Sequence, residues 1–300
     1  MAAEHLRFAV LGPGGVGGLL AALLVRGGDD VVVLAGERTA RALTAGGLRL
    51  ESGRFGDFTV DVRTAERLEQ PVDAVLVTVK ATHLDEALER VPPGAVGDAL
   101  VVPFLNGLDH VDGLRGRYGA RRVVPATIRV ETTKVEAGVI RHTSPFAAID
   151  IGPAAAKLAE HLAATGIDVR VREDEHAMLW EKFAVLAPMA LLTTHAGANA
   201  GQVRTRRRPE MEALLREFAV VAAAEGVDID SSRTIRFVDA VPETMETSMQ
   251  KDRAAGRPIE LDALGAALLR RAAKAGVDVP VTRRLVDEIG AGAGAPSTSA

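Results

Sequence analysis

At 300 residues the chain has room for about two domains, and a core of that size needs neither disulfide nor metal to hold it. Apolar residues make up 47% and charged residues 25%, the balance of an ordinary globular protein, and 36 basic against 40 acidic side chains leave a formal charge of −4. Mild acidity with only 3% aromatics argues against nucleic-acid binding, and the absence of cysteine excludes disulfides, thiolate nucleophiles and cysteine-based zinc sites while being compatible with a cytoplasmic protein.

In chain order, residues 7–11 predict a strand, 14–26 a helix stopped by Gly27-Gly28, 31–34 a second strand, 74–79 a third and 100–104 a fourth. Such continuous β-branched runs suit strands buried on both faces of a parallel sheet, and their alternation with helical stretches indicates βαβ units. Residues 122–130 and 138–142 read as further strands, added antiparallel. Beyond residue 172 helical periodicity takes over. Helices are expected over 173–194, with Pro188 inside; over 209–225, opened by Pro209 and stopped before Gly226; over 258–274, opened by Pro258; and over 280–289. The expected organisation is residues 1–172 as a dinucleotide-binding domain, 173–290 as an all-helical domain and 291–300, made only of small residues and proline, as a disordered tail.

Two uncharged stretches imitate membrane segments. Residues 8–25 follow Arg7 like a signal peptide, but Gly12, Gly14, Gly15, Gly17 and Gly18 have a better use. Residues 183–203 carry Pro188, Thr193, Thr194, His195, Asn199 and Gln202, too polar for a comfortable span. No membrane partner is expected.

Gly12-Pro13-Gly14-Gly15-Val16-Gly17 fits G-x-G-x-x-G directly after a strand and at a helix start, the context this motif requires. Its glycines permit a tight turn and close approach to a pyrophosphate, and the helix N-terminus supplies N–H groups and the positive dipole end. The end of the second strand selects the cofactor: an acid holds the ribose 2′-OH of NAD, whereas an arginine suits the 2′-phosphate of NADP. Here Ala35-Gly36-Glu37-Arg38, with Arg41 behind, divides the signal, Arg38 favouring NADP and Glu37 NAD. Lys80 and Asn106 follow the third and fourth strands, where open α/β sheets place ligands, although Asn106-Gly107 also suits a plain turn. Lys182, in Trp180-Glu181-Lys182, starts a helix face continued by apolar Leu186 and Ala190; a lysine partly desolvated there can serve as an acid, or its stem can simply reach to water. Glu260 falls in the first turn after Pro258, where the dipole favours an acid in any case. The seven histidines and the carboxylates show no metal-ligand spacing, and the basic run Arg204, Arg206, Arg207, Arg208 reads as a solvated loop.

Together these pieces resemble the ketopantoate reductase (2-dehydropantoate 2-reductase) family over nearly the whole chain, from Phe8 to about Leu285. They are the Gly12–Gly17 loop, Val79-Lys80-Ala81, Asn106-Gly107, Trp180-Glu181-Lys182, and the segment holding Ser248-Met249, Asp252, Gly256-Arg257 and Glu260-Leu261-Asp262-Ala263. The resemblance implies an α/β fold: an N-terminal Rossmann domain followed by an all-helical domain of the 6-phosphogluconate dehydrogenase type, with the active site in the cleft between them. It implies NADPH as hydride donor to a small 2-keto acid, converting ketopantoate to pantoate in pantothenate biosynthesis. It makes Lys182 the general acid, places Lys80 and Asn106 near the nicotinamide end and the substrate, gives Ser248 a substrate-carboxylate contact, and makes Glu260 a holder of cofactor and lysine. Cofactor contacts are thus expected from Gly12 through Gly17, Arg38, Lys80, Asn106 and Glu260, and substrate contacts from Asn106, Lys182, Asn199 and Ser248.

The chain departs from that pattern. Leu186 and Ala190 stand where the family carries asparagines, a third asparagine falls at Ala200 beside Asn199, and the arginine expected after the second strand aligns with Gly36. The lost amides point to a more apolar 2-keto acid or ketone, because an apolar wall does not select for a hydroxyl. Two other readings stay open: an NADP(H)-binding sensor without turnover, and another two-domain dehydrogenase. The helical half has apolar faces that can serve a homodimer or simply form its core.

Overall fold

The computed structural model describes residues 5–292, and the chain divides into two compact units. One takes in the chain up to Leu105 together with His110–Glu175; the other takes in Asn106–Asp109 and the chain from His176 onward.

The first unit contains β1 (Arg7–Leu11), α1 (Gly15–Arg26), β2 (Asp30–Leu34), α2 (Glu37–Gly46), β3 (Leu48–Ser52), β4 (Phe58–Val60), β5 (Arg63–Ala65), β6 (Ala74–Val77), α3 (Leu84–Leu88), α4 (Pro93–Val96), β7 (Leu100–Pro103), α5 (His110–Tyr118), β8 (Ala126–Arg129), β9 (Thr132–Glu136), β10 (Val139–His142), β11 (Ala148–Ile151), α6 (Ala156–Ala164) and β12 (Asp168–Val171). Strands β5-β2-β1-β6-β7 form an all-parallel sheet in the doubly wound order, which reverses between β1 and β6. Strands β1, β2, β6 and β7 are largely apolar on both sides because both faces are covered. Phe8, Val10, Val31, Val33 and Leu76 pack with α1 in one core, while Ala9, Leu11, Leu34, Val75 and Val77 pack with α3 and α5 in another. Helix α1 also lies against β3, β9 and β10 of a second, four-stranded sheet, β4-β3-β10-β9. Gly17 through Leu24 are consequently all buried, which accounts for the signal-like run of the N-terminal segment.

Several strand ends differ from expectation. The third strand stops at Val77, since Thr78 turns to bond the first loop, and the fourth stops at Pro103. Of residues 122–130 only Ala126–Arg129 is a strand, antiparallel to β11, while Val123 makes a lone parallel bridge to Val101. Strand β10 pairs antiparallel with β9, and on its other side parallel with β3.

The second unit is helical: α7 (Glu175–Ala196, which begins on the last residue of the first unit), α8 (Ala200–Arg206), α9 (Arg208–Ala224), α10 (Ser231–Ala240), α11 (Ser248–Ala254), a π-helical turn (Asp262–Ala266), α12 (Ala267–Ala275) and α13 (Pro280–Gly292). Helix α7 is long and apolar enough to cross a membrane, yet 72% of its apolar window is buried inside the structure, as in a core helix. The helix expected from Pro258 begins at Leu261, so Glu260 precedes it rather than occupying its first turn. The last helix continues past Ile289 to Gly292; the rest of the expected tail, 293–300, lies outside the described residues. The arginine run is no solvated loop. Arg204 donates to the carbonyls of Val238, Asp239 and Val241 at the end of α10, Arg207 binds His195 and Glu210, and Arg208 binds Glu212 and Asp239.

Helix α13 is fixed by Glu217 of α9, whose carboxylate accepts from Val281 N and Thr282 N, both at 2.8 Å, and from Thr282 Oγ1 at 2.7 Å. These are free donors of a helix N-terminus, so the carboxylate caps the helix from a neighbour. Glu217→Ala is expected to destabilise the fold by about 1–3 kcal/mol, read as a lower urea midpoint at an unchanged slope. An unchanged midpoint would contradict the cap.

Candidate functional site

In the first unit the candidate residues collect where β1 meets α1. Gly12 has φ +91°, open to glycine at little cost, and a Cβ there would lie 2.4 Å from Val79 Cγ1. Thr78 pins the turn by donating to the carbonyls of Leu11 and Gly12 at 2.9 and 2.8 Å. The same hydroxyl forces the third glycine, since a Cβ on Gly17 would fall 2.2 Å from Thr78 Oγ1 and 2.3 Å from the Gly12 carbonyl oxygen. Gly14 is different: a Cβ there would meet nothing within 4 Å. Gly14 is also the N-cap of α1 and makes no side-chain cap bond, so the first-turn N–H groups of Gly15, Val16 and Gly17 have no capping side chain. An open face beside an uncapped helix N-terminus suits an anionic pyrophosphate. Pro13, Gly15 and Val16 complete this half-buried loop.

Lys80 is exposed, three residues past the end of β6 and just before the short 3₁₀ turn Ala81–His83. Arg38 is exposed in the first turn of α2, whereas Glu37 is tied to Arg41 one turn on.

The second unit brings together residues far apart in sequence. Asn106 Nδ2 donates to Glu260 Oε2 at 3.4 Å across 154 residues, and Glu260 is only 3% exposed. A buried carboxylate needs such partners, because desolvation without pairing is costly. Gly107, with φ +92°, lets this segment lie on the π-helical turn after Glu260; a Cβ would sit 2.6 Å from the Ala263 carbonyl oxygen. Extra-wide turns of this kind occur often at functional sites.

Asp109 anchors the same segment. Its Oδ2 accepts from Arg270 Nε at 3.0 Å and Nη2 at 2.8 Å, and its Oδ1 accepts from Arg271 Nη2 at 2.9 Å. Arg271 donates onward to both oxygens of Glu225 at 2.9 and 2.7 Å, and Glu225 Oε2 accepts the indole N–H of the fully buried Trp180 at 3.0 Å. One chain of charge-assisted bonds thus runs from the Asn106 segment through α12 and α9 to α7, two residues before Lys182. Lys182, Leu186 and Ala190 follow each other at helical spacing on α7, Lys182 and Leu186 half-buried and Ala190 buried.

Ser248 is the exposed first residue of α11. The preceding Thr247 caps that helix and meets Thr193 of α7 at 2.8 Å, Oγ1 to Oγ1. Asn199 acts locally, its Oδ1 accepting from Gln202 N at 3.0 Å in a reciprocal capping box that opens α8. Thr78, Asp109, Glu225 and Arg271 were not singled out from sequence; each works through a distant partner and carries no local pattern.

The loop geometry gives a clean pair of substitutions. Gly17→Ala is expected to lower the melting temperature by several degrees because Thr78 and the Gly12 carbonyl must move. Gly14→Ala should stay within about 0.5 kcal/mol of the parent, as for an unobstructed surface change. Equal stability of the two variants would contradict the packing role given to Gly17.

Comparison with known proteins is consistent along nearly the whole chain. The family model for ketopantoate reductase PanE/ApbA matches residues 8–156, and that for its C-terminal part matches residues 175–293. A 2-dehydropantoate 2-reductase of Caulobacter vibrioides is 33% identical over 297 residues, 95% of this chain and 98% of that protein. A ketopantoate reductase of the PanE/ApbA family from Ralstonia eutropha JMP134 superposes with a TM-score of 0.88 at 29% identity, covering 95% of this chain and 98% of the other. A D-mandelate dehydrogenase, in a structure with NADH and anilino(oxo)acetate, shares the fold with a TM-score of 0.88 at 21% identity, over 95% and 98% of the two chains.

Proposed function

Since the chain belongs to the ketopantoate reductase family, we propose that it is an NADPH-dependent reductase of a 2-keto acid, with Lys182 as proton donor. The observation that carries this reading is the meeting of Asn106 with Glu260, two motif residues 154 apart in sequence, in the same helical unit that holds Lys182. A chain that merely kept the fold would have no need to hold a buried carboxylate and an amide together beside a π-helical turn.

The residues present fit a dinucleotide. The Gly12–Gly17 loop would hold the pyrophosphate against the uncapped start of α1, with Gly14 as the side left open. Lys80, Arg38, Asn106 and Glu260 are the further residues assigned to the cofactor. When bound, the reduced nicotinamide supplies the hydride that converts the ketone to an alcohol.

The protein's own part is to bind and to protonate. Lys182 stabilises negative charge developing on the carbonyl oxygen and donates its proton there. Glu260 is placed to orient Asn106 directly, and in this reading it orients Lys182 as well. Asn106, Ser248 and Asn199 hold the substrate in near-attack geometry. Leu186 and Ala190 offer no amide to a substrate hydroxyl, which favours a 2-keto acid or ketone more apolar than ketopantoate.

Lys182→Ala is expected to lower turnover by roughly 10²- to 10⁴-fold, the usual worth of a general acid, while calorimetric affinity for NADPH changes little. Full turnover in that variant would remove Lys182 from the mechanism.

A further inference from the structure

Discrimination between the two nicotinamide dinucleotides depends on what stands at the end of the second strand of such a sheet, because the adenosine ribose 2′ position is read there. In this chain no side chain leaves that point: β2 ends at Leu34 and continues as Ala35-Gly36 into α2. The next acid along the chain, Glu37, is engaged by Arg41, and Arg38 is exposed.

A guanidinium reaches the place from elsewhere. Arg90, just past the end of α3, is half-buried, and its Nη1 donates to the Glu66 carbonyl at 2.9 Å and to the Ala35 carbonyl at 3.4 Å. Its Nη2 lies 3.4 Å from the position a Cβ on Gly36 would take. The backbone at Gly36 is extended, φ −70° and ψ 161°, which any residue can adopt, so conformation does not demand glycine there. Among the described residues Arg90 makes no ion pair; both of its bonds go to neutral carbonyls. A half-buried cation bound only by dipoles retains a strong demand for an anion. Beside it, α2 starts at Glu37 with Gly36 as an N-cap lacking a side-chain bond, so the first-turn N–H groups add to the positive field.

We propose that Arg90 reads the 2′-phosphate of NADPH, supplying across the β2–α2 turn the guanidinium that Gly36 lacks. The inference rests on the dinucleotide reading above and names the residue that sets its cofactor preference. Arg90 presents Nη2 to the phosphate, Gly36 leaves the space through which it does so, and Arg38 adds a second, exposed charge. The same guanidinium ties the carbonyl ends of β2 and β5, so a purely structural role has to be separated from recognition.

The test is calorimetric binding of NADPH and of NADH to the full chain and to two variants. For Arg90→Met, NADPH affinity should fall roughly tenfold or more, the worth of a charge-assisted bond, while NADH affinity changes little. Gly36→Asp places a carboxylate against Nη2 without disturbing the Arg90 bonds to carbonyls; it should lower NADPH affinity and leave or raise that for NADH. Equal losses for both dinucleotides in Arg90→Met, or an unchanged ratio of the two affinities in Gly36→Asp, would overturn the assignment to Arg90. A parent protein that binds both dinucleotides without preference would overturn it as well and leave the dinucleotide reading standing. Binding of neither by the parent would overturn both.

Discussion

A carboxylate that is 3% exposed has to be paired, and one hydrogen-bonded network within the second unit holds a partner against Glu260. One partner, Asn106, is brought by a four-residue segment that groups with the helical unit although its neighbours on either side group with the first. Keeping so short a segment in place requires more than one contact. Gly107 lies against the π-helical turn, and Asp109 is held by Arg270 and Arg271. Arg271 then reaches Glu225, and Glu225 reaches Trp180 on α7. The helix that carries Lys182 and the segment that carries Asn106 therefore answer to one hydrogen-bonded network, which fixes their positions better than isolated contacts do.

The first unit has a comparable constraint in α1. A helix covered by a sheet on each side has no polar face, and its first turn has to let backbone approach backbone. Thr78 makes that approach specific by bonding the two carbonyls at the end of β1, and the glycines follow from it. What remains open is the face at Gly14, at a helix end with no side-chain cap. That opening, which the proposed function gives to the pyrophosphate, is what this packing leaves over.

Much of this was legible in the sequence, and the failures have physical causes. Strands β1, β2, β6 and β7 announced themselves because burial on both faces makes them apolar runs. Strands β3, β4, β5, β9, β11 and β12 did not. Thr132–Glu136 is exposed or half-exposed throughout, and Phe58–Val60 and Arg63–Ala65 are three residues each, so distant pairing rather than local pattern makes them strands. Pro258 misled in the opposite way: proline favours a helix start, yet the chain has no regular structure through Glu260 and turns helical only at Leu261. The motif residues of the site were readable as types at spacings, whereas their supports were not. Asp109 after Asn-Gly-Leu and Arg90 before Val-Pro-Pro look like solvated charges until the fold supplies Arg271 to the one and the end of β2 to the other.

Carbonyl reduction is the claim on which the proposed function stands, and Leu186 and Ala190 turn it toward an apolar ketone. The direct measurement is oxidation of NADPH by the purified chain against a panel of 2-keto acids that runs from ketopantoate to apolar alkyl and aryl analogues, at concentrations up to about 1 mM. Turnover is predicted with at least one member of the panel, favouring the apolar side. NADPH that binds tightly and is oxidised by none of them would contradict the claim, and would leave a dinucleotide-binding protein whose helical unit serves another purpose.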